Sequence, residues 1–152
     1  MANGVTIADD GAKLPVAIIP VRPEQIEAVW DDAAPLIRLA QKRLEHETGM
    51  ADIKDDLIAN KLLLWLVRVG DKLRAVILTD ITQHPRRRVL RILMIGGYGM
   101  SDWLNAGIQT MQKAAKLAAC DAVQADGRLG WARYAPKCGF REVSRSYEME
   151  IE

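Results

Sequence analysis

Val89-Leu90-Arg91-Ile92-Leu93-Met94-Ile95-Gly96-Gly97-Tyr98-Gly99-Met100-Ser101-Asp102 is the stretch from which the fold is read. An apolar run, Val89 to Ile95, breaks into a glycine corner, and the corner opens an amphipathic segment from Ser101 to Cys120. A strand that ends in glycines and runs into a helix gathers backbone N–H groups at one point, where an anion can sit. Beyond the helix come a short run, Asp121 to Ala125, then Gly127-Arg128-Leu129-Gly130-Trp131, and then Gly139-Phe140. Whether this corner holds an anion decides what the protein does.

Upstream of the corner, Leu73 to Ile81 and Leu62 to Val69 flank Gly70-Asp71-Lys72, a tight-hairpin signal. Thr82 to Pro85 turns the chain into the strand Arg87 to Ile95. Earlier still, Leu14 to Val21 is apolar and β-branched, a first strand. Pro23 suits the first turn of a helix bearing Ile26, Val29 and Trp30, and Asp31 or Asp32 caps a second helix with Pro35 in its first turn. Thr48-Gly49 stops that helix, and a short one follows over Ala51 to Asn60. Met1 to Lys13 reads as a flexible arm, and residues 14–152 as a single domain.

Downstream, Leu104, Ile108, Met111, Ala115 and Ala118 recur at helical spacing and predict the buried stripe of the long helix. Arg128 to Lys137 reads as a last helix that Pro136 ends or distorts. Arg141 to Ile151 alternates, with Val143, Tyr147, Met149 and Ile151 on one side, and reads as a final strand or hairpin. The order β-α-α-β-β-β-α-β-α-β predicts a mixed α/β fold, a central mostly antiparallel sheet with helices on both faces.

Composition narrows the function classes. A formal charge of +1 gives no whole-molecule attraction for nucleic acid or acidic lipid, and Arg86-Arg87-Arg88 lacks interleaved aromatics, so neither nucleic acid nor membrane is expected as a partner. Cys120 and Cys138 have no CxxC spacing and read as reduced, buried thiols. His46, between glutamates, and His84, beside Pro85, read as surface residues, and no metal site is expected. The polar N-terminus lacks the apolar core of a signal peptide, which points to the cytoplasm.

The element order, the glycine corner before the long helix, and the ending Lys137-Cys138-Gly139-Phe140 resemble the GNAT superfamily of acyl-CoA-dependent N-acetyltransferases. Trp103, Ala119-Cys120, Gly127-Arg128-x-Gly130-Trp131-x-Arg133 and Cys138-Gly139-Phe140 look more narrowly like the GNAT-like proteins of tailed bacteriophages and prophages. The resemblance implies that the fourth and fifth strands, Arg87 to Ile95 and Asp121 to Ala125, splay apart to admit the pantetheine of acetyl-CoA. The pyrophosphate would then rest on Gly97, Tyr98, Gly99, Met100 and Ser101. Gly97-Tyr98-Gly99 keeps the family's G-x-G spacing, whereas Met94 stands where active members place Arg or Gln.

Asp102 is expected at or beside the N-cap, its carboxylate using the helix N–H groups that a phosphate would need. Tyr134 is the candidate acid for the departing thiolate, one residue from the family's position, and Asp80 the candidate base acting through water. Each has a plainer alternative: a half-buried tyrosine, and a solvated turn carboxylate. Arg128 is expected to pair with a carboxylate or with strand-end carbonyls. Trp131 and Trp103 are expected either to pack together or to form an exposed contact surface. Two readings compete. One is an acetyl-CoA-dependent N-acyltransferase acting on a primary amine. The other is a catalytically degenerate phage or prophage component, virion-associated or acting in assembly. It would be found in the host cytoplasm or the particle, with other phage structural proteins or a second copy of itself as partner.

Overall fold

The computed structural model describes residues 5–7, 13–42, 47–127 and 129–151. Its strands are β1 (Val5–Ile7), β2 (Lys13–Val21), β3 (Leu63–Val69), β4 (Lys72–Gln83), β5 (Arg88–Gly97) and β6 (Ala122–Ala125), side by side in chain order. Every neighbouring pair is antiparallel except β5 and β6, which are parallel and joined by a helical crossover. The helices are α1 (Ile26–Gln41), α2 (Met50–Ile58) and α3 (Met100–Leu117). Val5–Ile7, inside the stretch read as an arm, is a strand on β2.

Two apolar layers sandwich the sheet. One packs Trp65, Val67, Ile77, Leu90 and Ile92 against Trp103, Ala106, Met111 and Ala115 of α3. The other packs Leu64, Leu66, Val76, Leu78 and Met94 against Ile37 and Ala40 of α1 and Ile53 and Leu57 of α2. The central strands are covered on both faces, which is why Leu64 to Val67 are buried in succession instead of alternating. Between β3 and β4, Trp65 donates its indole N–H to Thr79 Oγ1 at 3.0 Å, which satisfies two polar groups inside the apolar layer.

Local readings are corrected in four places. The two helices expected before residue 50 include one continuous helix, α1, with Pro35 in its interior. Pro35 is exposed, as is Asp31, whose carbonyl loses its helical donor, so water can satisfy it. The buried stripe of α3 is rotated: Trp103, Ala106, Gly107, Met111 and Ala115 face the sheet, while Leu104 and Ile108 are only half-buried. In place of a last helix the chain makes two short 3-10 turns, Leu129–Arg133 and Ala135–Cys138, with Pro136 at the second position of the latter. Arg141 to Ile151 forms no strand and lies exposed.

α3 ends on a two-bond cap. Cys120 N–H donates to Ala115 C=O at 2.8 Å and Ala119 N–H to Lys116 C=O at 3.1 Å, with Ala119 at φ +56°. That is the Schellman pattern with alanine where glycine is favoured.

Candidate functional site

Two β-bulges build the corner at the end of β5. The β4–β5 register slips between Leu78 and Thr79, leaving Leu93 as the extra residue on β5. A bulge bends and twists its strand. The β5–β6 pairing stops beside it, running only from Val89↔Ala122 to Ile92↔Ala125. Leu93 to Gly97 therefore continue past the end of β6 with that edge open among the described residues. The two strands part where the resemblance requires a gap.

The second bulge lies in β4, where Val67 pairs with Ala75 and Arg68 with Leu73, so Arg74 is the extra residue. Its carbonyl accepts the Tyr98 N–H at 3.0 Å, and the Tyr98 carbonyl accepts the indole N–H of Trp103, also at 3.0 Å. Trp103 is 2% exposed, so a fully packed side chain fixes the corner. It forms no exposed surface. Gly97 adopts φ +149°, and a Cβ there would meet the Arg74 carbonyl oxygen at 2.4 Å, so only glycine fits.

Gly99 caps α3 from the left-handed region, φ +66°, and no side chain caps the helix. Asp102 is not the N-cap. It sits at the third helical position, its N–H bonded to Gly99 C=O at 2.9 Å, and its carboxylate does not cap the turn. Asp52 makes the contrast: at the same position of α2 it accepts the Gly49 N–H at 2.9 Å. Asp102 Oδ2 instead lies 3.3 Å from where a Cβ on Gly99 would stand, and Arg74 Nη1 lies 3.7 Å from that same point. Arg74 and Asp102 face each other across Gly99 without forming an ion pair among the described residues.

Arg74 is the residue that sequence reasoning missed. Its Nε is buried and has no hydrogen-bond partner among the described residues. A buried guanidinium N–H without an acceptor costs free energy, and Nη1 of the same group is the atom that faces Gly99. Nothing in the sequence marks it, because strand alternation carries no sign of a bulge.

The other candidates stand apart from this corner in their bonding. Asp80 is within β4, opposite Arg91 of β5, and its carboxylate is held on both oxygens: Arg91 Nε donates to Oδ1 at 2.8 Å and Nη2 to Oδ2 at 2.6 Å. The Asp80 hydrogen bond and charge hold the Arg91 guanidinium above its ordinary value, against a partial desolvation and with help from Asp126. Tyr134 lies between the two 3-10 turns, 52% exposed. Tyr98 is 62% exposed and Met100 38%. A Cβ on Gly127 would strike Trp131 at 2.7 Å, so this glycine lets the indole lie against the backbone. Arg128 and His46 lie outside the described residues.

A groove opens at the opposite end of α3, between Ile108, Gln112 and Lys116 of the helix, Ala122 and Val123 of β6, and Cys138 to Phe140. Cys120 and Cys138 line it as free, half-buried thiols. It is not part of the corner. No group of three or more His, Cys, Asp or Glu gathers among the described residues, and no helix there is long and apolar enough to cross a membrane.

No family model and no curated protein matches the sequence. Solved structures do match in fold. A probable acetyltransferase superposes with a TM-score of 0.67 at 12% identity, over 90% of this chain and 98% of its own. Aminoglycoside N-acetyltransferase AAC(6')-Iy, in complex with CoA, gives 0.63 at 14%, over 91% and 95%. A ribosomal-protein-alanine N-acetyltransferase from Brucella melitensis biovar Abortus 2308 gives 0.65 at 14%, over 90% and 99%. The fold is that of the GNAT acetyltransferases, with its three layers and parting central strands.

Proposed function

We propose that this chain is an acyl-CoA-dependent N-acyltransferase in which the donor's pyrophosphate rests on Gly97 to Ser101, held by the first-turn N–H groups of α3 and by the Arg74 guanidinium. One observation carries the reading: an unsatisfied, buried Arg74 Nε beside a helix N-terminus that no side chain caps. Gly99, lacking a Cβ, leaves open the space between Arg74 and Asp102 that a phosphate oxygen would enter. Arg74 thus supplies the cation that Met94 does not. The open edge of Leu93 to Gly97 offers main-chain partners to the pantetheine arm. Acetyl-CoA supplies an activated thioester; attack by a primary amine forms the amide and releases the thiol. The fold neighbour solved with CoA supports the same cofactor here. Asp80 takes up a proton only through water, since Arg91 occupies both its oxygens, and Tyr134 is the thiolate's acid.

A thermal-unfolding series with acetyl-CoA tests the binding step. At a hundredfold excess over Kd, stabilisation of about 2.7 kcal/mol is expected. Thiol release with a panel of primary amines tests turnover. No shift at millimolar ligand contradicts the proposal.

A second reading keeps the corner and drops the turnover: a virion-associated or assembly component of a tailed phage or prophage. The doubly bonded Asp80 and the methionine at position 94 favour it. Under it, acetyl-CoA binds with no thiol release, and the protein travels with phage particles.

A further inference from the structure

The chain's two cysteines, with β6 and both 3-10 turns between them in sequence, line one groove. Cys120 and Cys138 are free thiols, each half-buried, so both are reachable from solvent. Cys120 packs partly buried against the α3 layer, and so does Phe140, two residues beyond Cys138. The fold thus brings the two sulfurs to the same end of α3.

Their frames differ. Cys120 N–H closes the cap of α3 on Ala115 C=O at 2.8 Å. The next residue, Asp121, donates its N–H to Arg88 C=O at 2.7 Å, and its Oδ2 accepts the Arg88 N–H at 2.9 Å. Helix and sheet together hold Cys120 in place. Cys138 ends a 3-10 turn whose backbone bonds stay within its own segment. Lys137 N–H donates to Tyr134 C=O at 3.0 Å, Gly139 N–H to Pro136 C=O at 3.2 Å, and Phe140 N–H to Ala135 C=O at 3.0 Å. Among the described residues, no backbone hydrogen bond ties Tyr134 to Phe140 to the helix or the sheet. Gly139 stands at φ +87° with nothing within 4 Å of where a Cβ would be, so the turn has room to shift. A disulfide asks for Cα atoms within about 7 Å of each other. With one thiol fixed and the other on a unit docked through Phe140, the approach falls to the segment.

We propose that Cys120 and Cys138 form a reversible thiol–disulfide site whose reaction partner is a low-molecular-weight disulfide. One cysteine thiolate attacks a sulfur of that disulfide and releases a small thiolate, which takes up the cysteine's proton. The second cysteine thiolate then displaces the other half from the mixed disulfide, and its proton goes to that leaving thiolate. The protein loses two hydrogens with their electrons, and the small disulfide becomes two thiols. Lys116 lines the groove and offers a cation to an anionic disulfide, while Asp121 there is already engaged by Arg88. The bridge ties the segment that carries Tyr134 to the end of α3, and reduction releases it.

Equilibration of the folded full chain across ratios of glutathione to glutathione disulfide tests this, with acid quenching, alkylation and mass spectrometry as the readout. The expected product is a single chain lighter by two hydrogens, carrying no alkyl group, with the Cys120 and Cys138 peptides joined. It should form at a proportion of glutathione disulfide roughly tenfold lower than the urea-unfolded chain needs, because the fold gathers both thiols at one groove. Cys120→Ser and Cys138→Ser should each keep one glutathione on the remaining thiol, and far-UV circular dichroism matching the full chain shows that both variants fold. The oxidised chain should also unfold at a higher temperature than the reduced one. Two glutathiones held on one chain, a bridge between chains, or thiols that stay free until unfolding each overturn the proposal. So does a bridge that forms no more readily in the folded chain than in the unfolded one. Acetyl-CoA binding enters none of these readings and is tested separately by thermal shift.

Discussion

Arg74 and Asp102 confront each other over a glycine, and under the proposed function their opposed charges set the corner's preference for ligand. Arg74→Ala should weaken CoA by about 10- to 100-fold in calorimetry, the range for losing a charge-assisted hydrogen bond to phosphate. Pantetheine, which lacks the pyrophosphate, should bind both proteins equally. Asp102→Asn should act oppositely: removing a carboxylate from the first turn tightens CoA by roughly two- to fivefold, while helix stability falls by about 0.5 kcal/mol. Had Asp102 been the cap, asparagine would cap nearly as well and the N–H groups would stay occupied. Gly99→Ala places a Cβ between the two charged groups and forces alanine into φ +66°, so it should lower both stability, by about 1 kcal/mol, and CoA affinity.

Elements, more than single residues, make the gap. A Cβ on Gly96 would lie 2.0 Å from the Leu36 carbonyl oxygen, so α1 sits directly on β5. Gly96→Ala should therefore cost roughly 3 kcal/mol or prevent folding, measured by urea denaturation. At the far end of α3, Ala119→Gly should stabilise by about 0.5–1 kcal/mol, since glycine relieves the left-handed φ of the cap. The order of these elements was legible from hydrophobic period and from glycine and proline punctuation, because those signals are local. The bulges were not. The pairing partner decides them, and neither Arg74 nor Leu93 carries any mark of being the extra residue. Pro35 misled for a related reason: local rules start a new helix with proline in its first turn, while solvent exposure lets α1 run through it. The α3 stripe was displaced because Trp103, read with Trp131 as a packing pair or an exposed contact surface, is buried against the sheet within the helix's own core stripe.

At the scale of the whole molecule, α3 runs from the glycine corner at its N-terminus to the groove beside β6 at its other end. The glycine corner draws its charge from Arg74 and the helix N-terminus, whereas the groove is lined by polar and apolar side chains together. The apolar residues after Arg141 suggested a strand, but they pair with no edge of the sheet among the described residues. A formal charge of +1 offers no long-range steering, so under the proposed function discrimination for an anionic donor falls to the corner. The most direct measurement is a pair of amide and guanidinium NMR spectra of the protein, without and with CoA. The account predicts that the Tyr98, Gly99, Met100 and Ser101 amides and the Arg74 Nε–H move together, while Cys120 to Val123 in the groove stay still. Shifts confined to the groove, or none at saturating CoA, would contradict it.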